Sequence, residues 1–306
     1  MSFGYQVLGF GSGSAAVTPT ENDNGIFGWG VTNRSITNLV SNTGVVATDT
    51  TGVGTGRSSP AGCEYGTDKG IFGYGYDGSY VSMSNLVSNA GVVATDVTGV
   101  GTVRSHLAAC EYGTDKGIFG YGYNPGTAVT NLVSNTGVVG TDVAGVGTAR
   151  PGLAACEYGG DKGIFGYGRL SPAPAPYLSI TNLVSNTGVV STDVTGVGTT
   201  RSGLAACGYG GDKGIFGFGQ HAPGLFIGVS NLVSNTGVVA TDTTAVGSGR
   251  VNLAACEYGA DKGIFAYGYR EPNVATSNLV SNTGVVSSDV TGVGTARSGV
   301  AACSYN

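Results

Sequence analysis

The chain offers few side chains for acid–base, nucleophilic or metal-dependent chemistry. Its 306 residues include two histidines, six cysteines, 14 basic residues and 19 acidic residues. The histidines, His106 and His221, stand alone in different segments, so neither a histidine-based triad nor a histidine metal cluster can be assembled from them. Each is expected to be a surface side chain. The sequence predicts a protein that is not an enzyme and that uses no metal or cofactor.

The six cysteines each occupy the same position of a repeated segment, of which Leu-Ala-Ala-Cys-Glu-Tyr at 153–158 is an example. In a circular array of repeats, neighbouring thiols are expected to lie beyond the ~7 Å Cα separation that a disulfide can bridge. We therefore predict six small, buried, free thiols. A ring of metal-binding thiols is the alternative, but no Cys-x-x-Cys or Cys/His cluster accompanies any cysteine.

Most charged residues also fall on repeated positions. An aspartate precedes an arginine by eight residues in each repeat, as Asp193 precedes Arg201. We expect this carboxylate to cap a turn or to pair with the arginine. A sixfold Ca²⁺ array is the alternative, but each loop offers one carboxylate, whereas Ca²⁺ takes six to eight oxygen ligands. The charged residues off the repeated positions are Glu21, Arg34, Asp77, Arg169, Arg270 and Glu271.

A glutamate follows the cysteine in four of the repeats. The strand that carries it is predicted to be innermost, so a central channel would bring these carboxylates together. Gly208 and Ser304 replace the glutamate in the other two repeats, so any ring of carboxylates is incomplete and the case for an ion site is weak. The four positions are Glu64, Glu111, Glu157 and Glu257.

Composition excludes several classes of partner. A net charge of −5 without a basic stretch argues against nucleic acid. No run of about 18 apolar residues predicts a membrane span, and residues 1–17 lack the basic start and apolar stretch of a secretory signal, so synthesis in the cytoplasm is expected. Glycine-rich strings such as 28–30 recur in nearly every repeat without a following helix, which argues against a nucleotide site.

The repeats account for nearly the whole chain. Gly-Ile-Phe-Gly or a close variant recurs every 45–51 residues, and Asn-Leu-Val-Ser-Asn keeps the same spacing. A fixed period of this length indicates a repeat architecture. The repeats begin near residues 25, 70, 117, 163, 214 and 263.

Each repeat is predicted to form four short strands. In the repeat at 150–194, the strands are predicted at 153–158, at 163–168 and at 180–185, with an outer strand from Val189. Tight turns at 159–162 and 186–188 join them. The small residues of the first strand suit a position close to a central axis. The prediction is an all-β, six-bladed β-propeller of four-stranded antiparallel blades.

The two ends of the chain are expected to meet. The first repeat lacks an inner strand, and Val300–Tyr305 supplies one, so the C-terminal strand is predicted to complete the first blade. The propeller then spans 25–306, and 1–24 forms a strand-like extension that includes Tyr5–Phe10. This extension either packs on its own first blade or pairs with the sheet edge of another subunit.

The repeats resemble those of kelch-like propellers. An arginine precedes a small-residue strand, a short turn follows, and the second strand ends in glycines, as at 73–75 and 166–168. The segment 110–122 is similar to the strand pair of propellers related to the regulator of chromosome condensation. The pattern of all six repeats is similar to that of kelch-like repeat proteins of tailed bacteriophages and environmental bacteria. This resemblance implies a propeller fold and suggests a phage virion surface or tail component.

Variation between repeats is concentrated after the second strand. These variable segments are expected on one face of the disc, where aromatic side chains with polar neighbours suit recognition of protein or sugar. Neutral drift in unconstrained loops is the alternative. The predicted binding residues are Tyr76, Tyr80, Tyr123, Tyr177, His221, Phe226, Tyr269 and Arg270.

Two functions remain open at this point. One is a structural or adhesive propeller that self-associates or engages another protein or a cell-surface glycan. The other is a monomeric propeller that binds a carbohydrate or another small ligand in a lectin-like manner.

Overall fold

The chain forms antiparallel strands joined by turns. The computed structural model describes residues 23–32, 34–172, 174–244 and 246–306. These residues contain no helix, and hence no helix that is long and apolar enough to cross a membrane. The all-β prediction is therefore confirmed.

The strands follow one another in a regular series. In chain order they are β1 (Asn24–Gly28), β2 (Thr37–Val40), β3 (Ala61–Tyr65), β4 (Lys69–Tyr76), β5 (Tyr80–Val87), β6 (Ala108–Tyr112), β7 (Lys116–Gly120), β8 (Thr130–Val133), β9 (Ala154–Tyr158), β10 (Lys162–Gly166), β11 (Thr181–Val184), β12 (Ala205–Tyr209), β13 (Lys213–Gly217), β14 (Gln220–Ala222), β15 (Leu225–Phe226), β16 (Ser230–Val233), β17 (Ala254–Tyr258), β18 (Lys262–Ala266), β19 (Ser277–Val280) and β20 (Ala301–Tyr305).

The described strands form six three-stranded antiparallel sheets, and β14 and β15 add a small hairpin. Sheet 1 mixes the two ends of the chain, because β1 pairs with both β2 and β20. Sheets 2 to 6 each contain strands that are close together in the sequence. They are, in order, β3-β4-β5, β6-β7-β8, β9-β10-β11, β12-β13-β16 and β17-β18-β19.

The predicted fourth strand is reduced to two isolated bridges per repeat. In sheet 1, Val40 bridges to Val46 and Thr37 to Thr50. Between these bridges the side chain of Asn38 donates hydrogen bonds to Ala47 O and to Asp49 Oδ1, both at 2.9 Å. An inserted side chain thus replaces the backbone ladder. The prediction of four-stranded sheets is corrected to three strands plus a bridged outer segment.

The middle strand of each sheet is buried on both faces. Ile164 and Phe165 in β10 have no exposed surface. The glycines of β10 allow side chains of the neighbouring sheets to pack closely against the strand. A Cβ at Gly163 would lie 2.5 Å from Cys110 Sγ, and a Cβ at Gly166 would lie 2.7 Å from Phe216 Cζ. The Gly-Ile-Phe-Gly motif is therefore a packing motif between sheets as well as a strand.

The cysteines contribute to this packing. All six are buried and free, which confirms the prediction from the repeats. Burial raises the pKa of each thiol, so they are protonated, apolar core groups. Each core cluster combines side chains of two neighbouring sheets, as Cys156 and Ile164 of sheet 4 pack with Leu204 and Phe216 of sheet 5.

One set of six backbone hydrogen bonds links the repeats beside the first strands. The donors and acceptors are the residues two positions after each repeated arginine, and the N···O distances are 2.7–3.1 Å. All six residues adopt left-handed φ angles of 51–69°. The sixth bond returns to the first repeat, since Ser59 N donates to Gly299 O. This set, here the inner hydrogen-bond ring, consists of Ser59, His106, Gly152, Gly203, Asn252 and Gly299.

A second set links the hairpin tips at the other ends of the same strands. Gly113 N donates to Asp161 O at 2.8 Å, and the pattern continues through the remaining repeats. The same set also links the residues beside β1 and β20 to neighbouring sheets, because Gly259 N donates to Asp23 O and Asn306 N donates to Asp68 O. Each first strand is thus bound to its neighbours at both ends.

A buried arginine joins each sheet to the next. Arg150, which precedes β9, donates from Nε to Tyr167 O at 2.7 Å and from Nη2 to Asn182 Oδ1 at 2.7 Å. Its guanidinium carbon lies 4.6 Å from the ring centre of Tyr121 in sheet 3. The arginine therefore stacks on one sheet and hydrogen-bonds the following one. Equivalent positions are Arg57, Arg104, Arg201, Arg250 and Arg297.

Arg250 departs from this arrangement. Its Nη2 lies 3.5 Å from Phe265 O, and Oδ1 of Asn278 is buried without a hydrogen-bond partner. Burial lowers the pKa of Arg250 to about 10, partly offset by the negative charge of Asp289. The side chain therefore stays protonated at neutral pH but has a poorer set of acceptors than its counterparts.

The repeated aspartates cap the segment that carries this arginine. Asp193 accepts hydrogen bonds from Thr148 N at 3.1 Å and from Thr148 Oγ1 at 2.6 Å. Partial burial opposes ionisation, but these bonds and one from Asn182 lower the pKa of Asp193 overall. The arginine beside it is Arg150, at 3.9 Å, and not Arg201 eight residues later. The expected pairing therefore joins consecutive repeats.

The start of the first repeat lies earlier than predicted. Asn24 belongs to β1 and pairs with Tyr305, so it is part of sheet 1 and not of an extension over 1–24. The strand-like segment Tyr5–Phe10 lies outside the described residues.

We predict that loss of a repeated arginine destabilises the fold most where the asparagine bond exists. Arg150→Met removes that bond and leaves the Asn182 amide oxygen without a donor, so the free energy of unfolding should fall by about 3 kcal/mol. Arg250→Met, where Asn278 already lacks a partner, should cost about half as much. Urea denaturation measures both values, and equal losses would contradict the role given to the asparagine.

Candidate ligand-binding site

A depression of about 320 Å³ lies where three successive repeats meet. It combines aromatic rings, hydroxyl groups, an imidazole and a guanidinium group. The lining residues are Ser58, Tyr76, Tyr80, Ser105, His106, Tyr123, Pro151, Arg169, Leu170 and Ser171.

The same structural position, taken from three repeats, builds most of this depression. The residue after the Gly-x-Gly of each second strand bridges to the residue after the repeated arginine, so that Tyr76 pairs with Ser58 and Tyr123 with Ser105. In the next repeat Arg169 N donates to Pro151 O at 3.1 Å. The scaffold is thus repeated, whereas the side chains differ.

Three tyrosines form a connected cluster. The ring centres of Tyr76 and Tyr80 are 5.2 Å apart and those of Tyr80 and Tyr123 are 5.9 Å apart, both in edge-to-face geometry. A longer hairpin, with eight residues in each of β4 and β5, places Tyr80 between the other two. Limited hydration and the neighbouring hydroxyls raise the pKa of Tyr80. The cluster therefore offers neutral aromatic and hydroxyl groups.

His106 connects the depression to the inner hydrogen-bond ring. Its Nδ1 lies 2.9 Å from Ser105 Oγ and its Nε2 lies 3.3 Å from Ser59 Oγ. The side chain is exposed, but it also borders a smaller depression of about 60 Å³ lined by several leucines. Loss of hydration, and secondarily the positive charge of Arg169, lower the pKa of His106.

The contacts of His106 differ from those of a typical histidine general base. A general base works best with a pKa near the operating pH, and a histidine base is usually oriented by a carboxylate. His106 has a lowered pKa and contacts two hydroxyls, and no acidic side chain lines the depression. The hydroxyl, imidazole and guanidinium groups of the depression can form hydrogen bonds with a bound molecule.

The predicted site residues divide into two groups. Tyr76, Tyr80 and Tyr123 are brought together in the depression. The others lie outside it. Phe226 and Tyr269 contact each other, with ring centres 5.8 Å apart.

The remaining three predicted residues make local contacts. Tyr177 bridges to Arg169 through the backbone. His221 Nδ1 lies 2.8 Å from Thr200 O. Arg270 is exposed and its backbone N donates to Pro272 O at 3.0 Å.

Sequence reasoning missed His106 and Arg169. Both stand out from the repeats, since His106 replaces a residue that is glycine in three of the six repeats, and Arg169 is a charge off the repeated positions. These deviations from the repeat pattern are visible in the sequence. Their functional relevance is not, because it depends on the fact that residues about 63 positions apart in sequence line one depression.

A second cavity, of about 40 Å³, lies among the first strands. The four repeated glutamates line it, which places their carboxylates in one narrow space among the first strands. Gly208 and Ser304 fit between them: a Cβ at Gly208 would lie 1.5 Å from Glu257 Oε1, and Ser304 Oγ accepts a hydrogen bond from Glu257 N at 2.9 Å. Among the described residues, no group of three or more His, Cys, Asp or Glu side chains is arranged to hold a metal ion.

Two of these glutamates, Glu64 and Glu111, have raised pKa values. Burial raises the pKa of Glu64. Burial, followed by the negative charges of Glu157, Glu64 and Glu257, raises the pKa of Glu111 well above its ordinary value. Carboxylates that converge in a narrow space therefore favour protonation.

The chain matches no protein-family model and no curated protein. The kelch-like resemblance thus stays a prediction from the repeat pattern.

We predict that stability falls as the pH rises from acidic to alkaline values. A carboxyl group whose pKa is raised on folding binds its proton more tightly in the folded state, so its contribution is complete below its unfolded pKa and is lost as the pH passes the folded pKa. Melting temperatures should be higher at pH 5.5 than at pH 8, by about 3 °C or more. Below about pH 3.8 the repeated aspartates, whose pKa values are lowered, reverse the trend.

Glu111→Gln tests the origin of this effect. It removes one channel charge, so the variant should melt at a higher temperature than the unmodified protein at pH 8 and show a weaker pH dependence. Glu271→Gln removes one charge from an exposed loop and serves as the control for net charge. If the two variants behave alike, the channel is not the cause.

Proposed function

We propose that the chain is a closed six-bladed β-propeller that binds a saccharide and catalyses no reaction. The observation that carries this function is the depression of about 320 Å³, in which tyrosine rings, serine hydroxyls and an imidazole line one space. The function combines the two expectations from sequence, because a saccharide pocket serves equally for adhesion and for lectin-like binding.

The packing order of the sheets supports the propeller. First strands contact one another in the order β20, β3, β6, β9, β12 and β17, and β17 contacts β20 again. Both sets of inter-repeat hydrogen bonds follow this order. Each sheet is then one blade, and the shared sheet of β1 and β20 leaves no blade with an unpaired middle strand.

The side chains of the depression support a saccharide ligand. Sugar rings have C–H faces that pack on aromatic rings and hydroxyls that exchange hydrogen bonds with polar side chains. The tyrosine cluster and the serines Ser58, Ser105 and Ser171 supply both kinds of group. The volume is at the lower end of the roughly 300–1,000 Å³ typical of small-molecule sites, which suits a terminal sugar.

An adhesive role is compatible with one such pocket per chain when several copies act together. Two or more linked sites raise the apparent affinity by orders of magnitude without a new contact. Self-association and a place on a virion surface or tail stay predictions from the sequence.

Tyrosine substitutions test the proposed pocket. Tyr76→Ala and Tyr123→Ala should each weaken binding to the best glycan of an array by about tenfold, because each removes an aromatic ring from the ligand. Tyr269→Ala is the matched control, since Tyr269 occupies the same repeat position and is 38 % exposed, against 39 % for Tyr76, but lies outside the depression. Isothermal titration with the selected glycan gives the affinities.

Tyr269→Ala should bind as the unmodified protein does. An array on which no glycan binds, or equal losses in all three variants, would refute a saccharide site in this depression.

A further inference from the structure

Resting on the proposed saccharide site, we propose that the ligand carries a carboxylate, as uronic and sialic acids do, and that Arg169 receives it. Arg169 lines the depression together with the tyrosines. Its planar guanidinium group matches a carboxylate with two parallel N–H···O bonds, a geometry that neutral sugars do not offer.

Arg169 is an exception to the repeat pattern. The equivalent residues in the five other repeats are uncharged: Val31, Tyr76, Tyr123, Gln220 and Tyr269. The repeated arginines are buried in the joints between sheets, whereas Arg169 is half-buried and borders the depression. Its charge is therefore not part of the scaffold that the six repeats share.

The charge of Arg169 is not balanced by an acidic partner. Among the described residues, Arg169 takes part in none of the salt bridges. A partly desolvated guanidinium without a counter-ion favours an anionic ligand.

The rest of the lining sets the charge of that ligand at one. The tyrosines and serines are neutral donors and acceptors. His106 contacts the hydroxyls of Ser105 and Ser59 through its two ring nitrogens. Among the described residues that line the depression, Arg169 is the one side chain with a permanent positive charge, which matches a single carboxylate. A phosphate carries nearly two charges and is usually held by several cations or by backbone N–H groups at a helix N-terminus, and the described chain contains no helix.

The packing of the backbone holds Arg169 in place. Its N donates to Pro151 O at 3.1 Å, and Leu178 N donates to Gly168 O at 2.8 Å, so the residue is tied at both sides of its loop. Pro151 belongs to the depression and follows Arg150, the buried arginine of the joint. The guanidinium group therefore extends from a fixed base, which lowers the conformational entropy lost on binding.

Matched glycan pairs test the inference. Oligosaccharides that end in glucuronate or galacturonate are compared with those that end in glucose or galactose, and sialyl-lactose with lactose, by titration of the purified full chain. The unmodified protein should bind the acidic member of at least one pair about tenfold or more tightly, and added NaCl should weaken that binding.

Arg169→Gln should abolish the preference for the acidic member of the pair. Glutamine is accommodated at this position, since Gln220 occupies it in the next repeat. Arg270→Gln removes the same charge from an exposed loop and should keep the preference.

The outcomes separate the two proposals. Equal binding of acidic and neutral members, or a preference that survives Arg169→Gln, overturns the carboxylate inference and leaves the saccharide site standing. Tighter binding of a galactose 6-sulfate terminus than of galacturonate also overturns it, in favour of a sulfate ligand. Failure of every glycan to bind refutes the proposed function itself.

Discussion

The structure depends on a buried arginine at each joint between sheets. One guanidinium group stacks on an aromatic ring of the preceding sheet and donates to the backbone and to an asparagine of the following sheet. Removing such a group from water is costly unless its donors are satisfied. Because the stacked ring belongs to one sheet and the acceptors belong to the next sheet and to the segment between them, all of these contacts form only when consecutive repeats are assembled in the correct order. The arginine therefore makes the register between sheets specific, while the apolar clusters supply most of the burial.

Function in this architecture is expected where the repeats differ. Each repeat offers an equivalent position, but among the described residues only the stretch that spans sheets 2 to 4 combines a long hairpin, a histidine and an arginine without a salt bridge. Elsewhere the same positions hold small or uncharged residues. A nearly symmetric scaffold can carry one asymmetric site because each repeat contributes only one or two side chains, and a few substitutions in three neighbouring repeats are enough.

The sequence predicted the parts of the fold that local patterns determine. The strand at Ile164 and Phe165 and the turn after Tyr158 follow from apolar residues and glycines within ten positions. The role of Asn182 was not predictable, because its partners belong to a bridged outer segment and to an arginine 32 residues away. For the site, variable loops pointed to Tyr76, Tyr80 and Tyr123. Phe226, Tyr269 and Arg270 have the same loop chemistry, and only the position of their repeats separates them from the depression.

The pairing of β1 with β20 has a consequence for the order of folding. Every other middle strand has its first-strand partner immediately before it, across a turn of three residues, so those hairpins form early and locally. The partner of β1 is synthesised after all the other strands. Five of the first strands have nearly the same sequence as β20, but each is already occupied by its own hairpin neighbour. The speed of local hairpin formation thus protects the nascent chain from mispairing, and β1 stays an open edge on the ribosome until the final strand emerges.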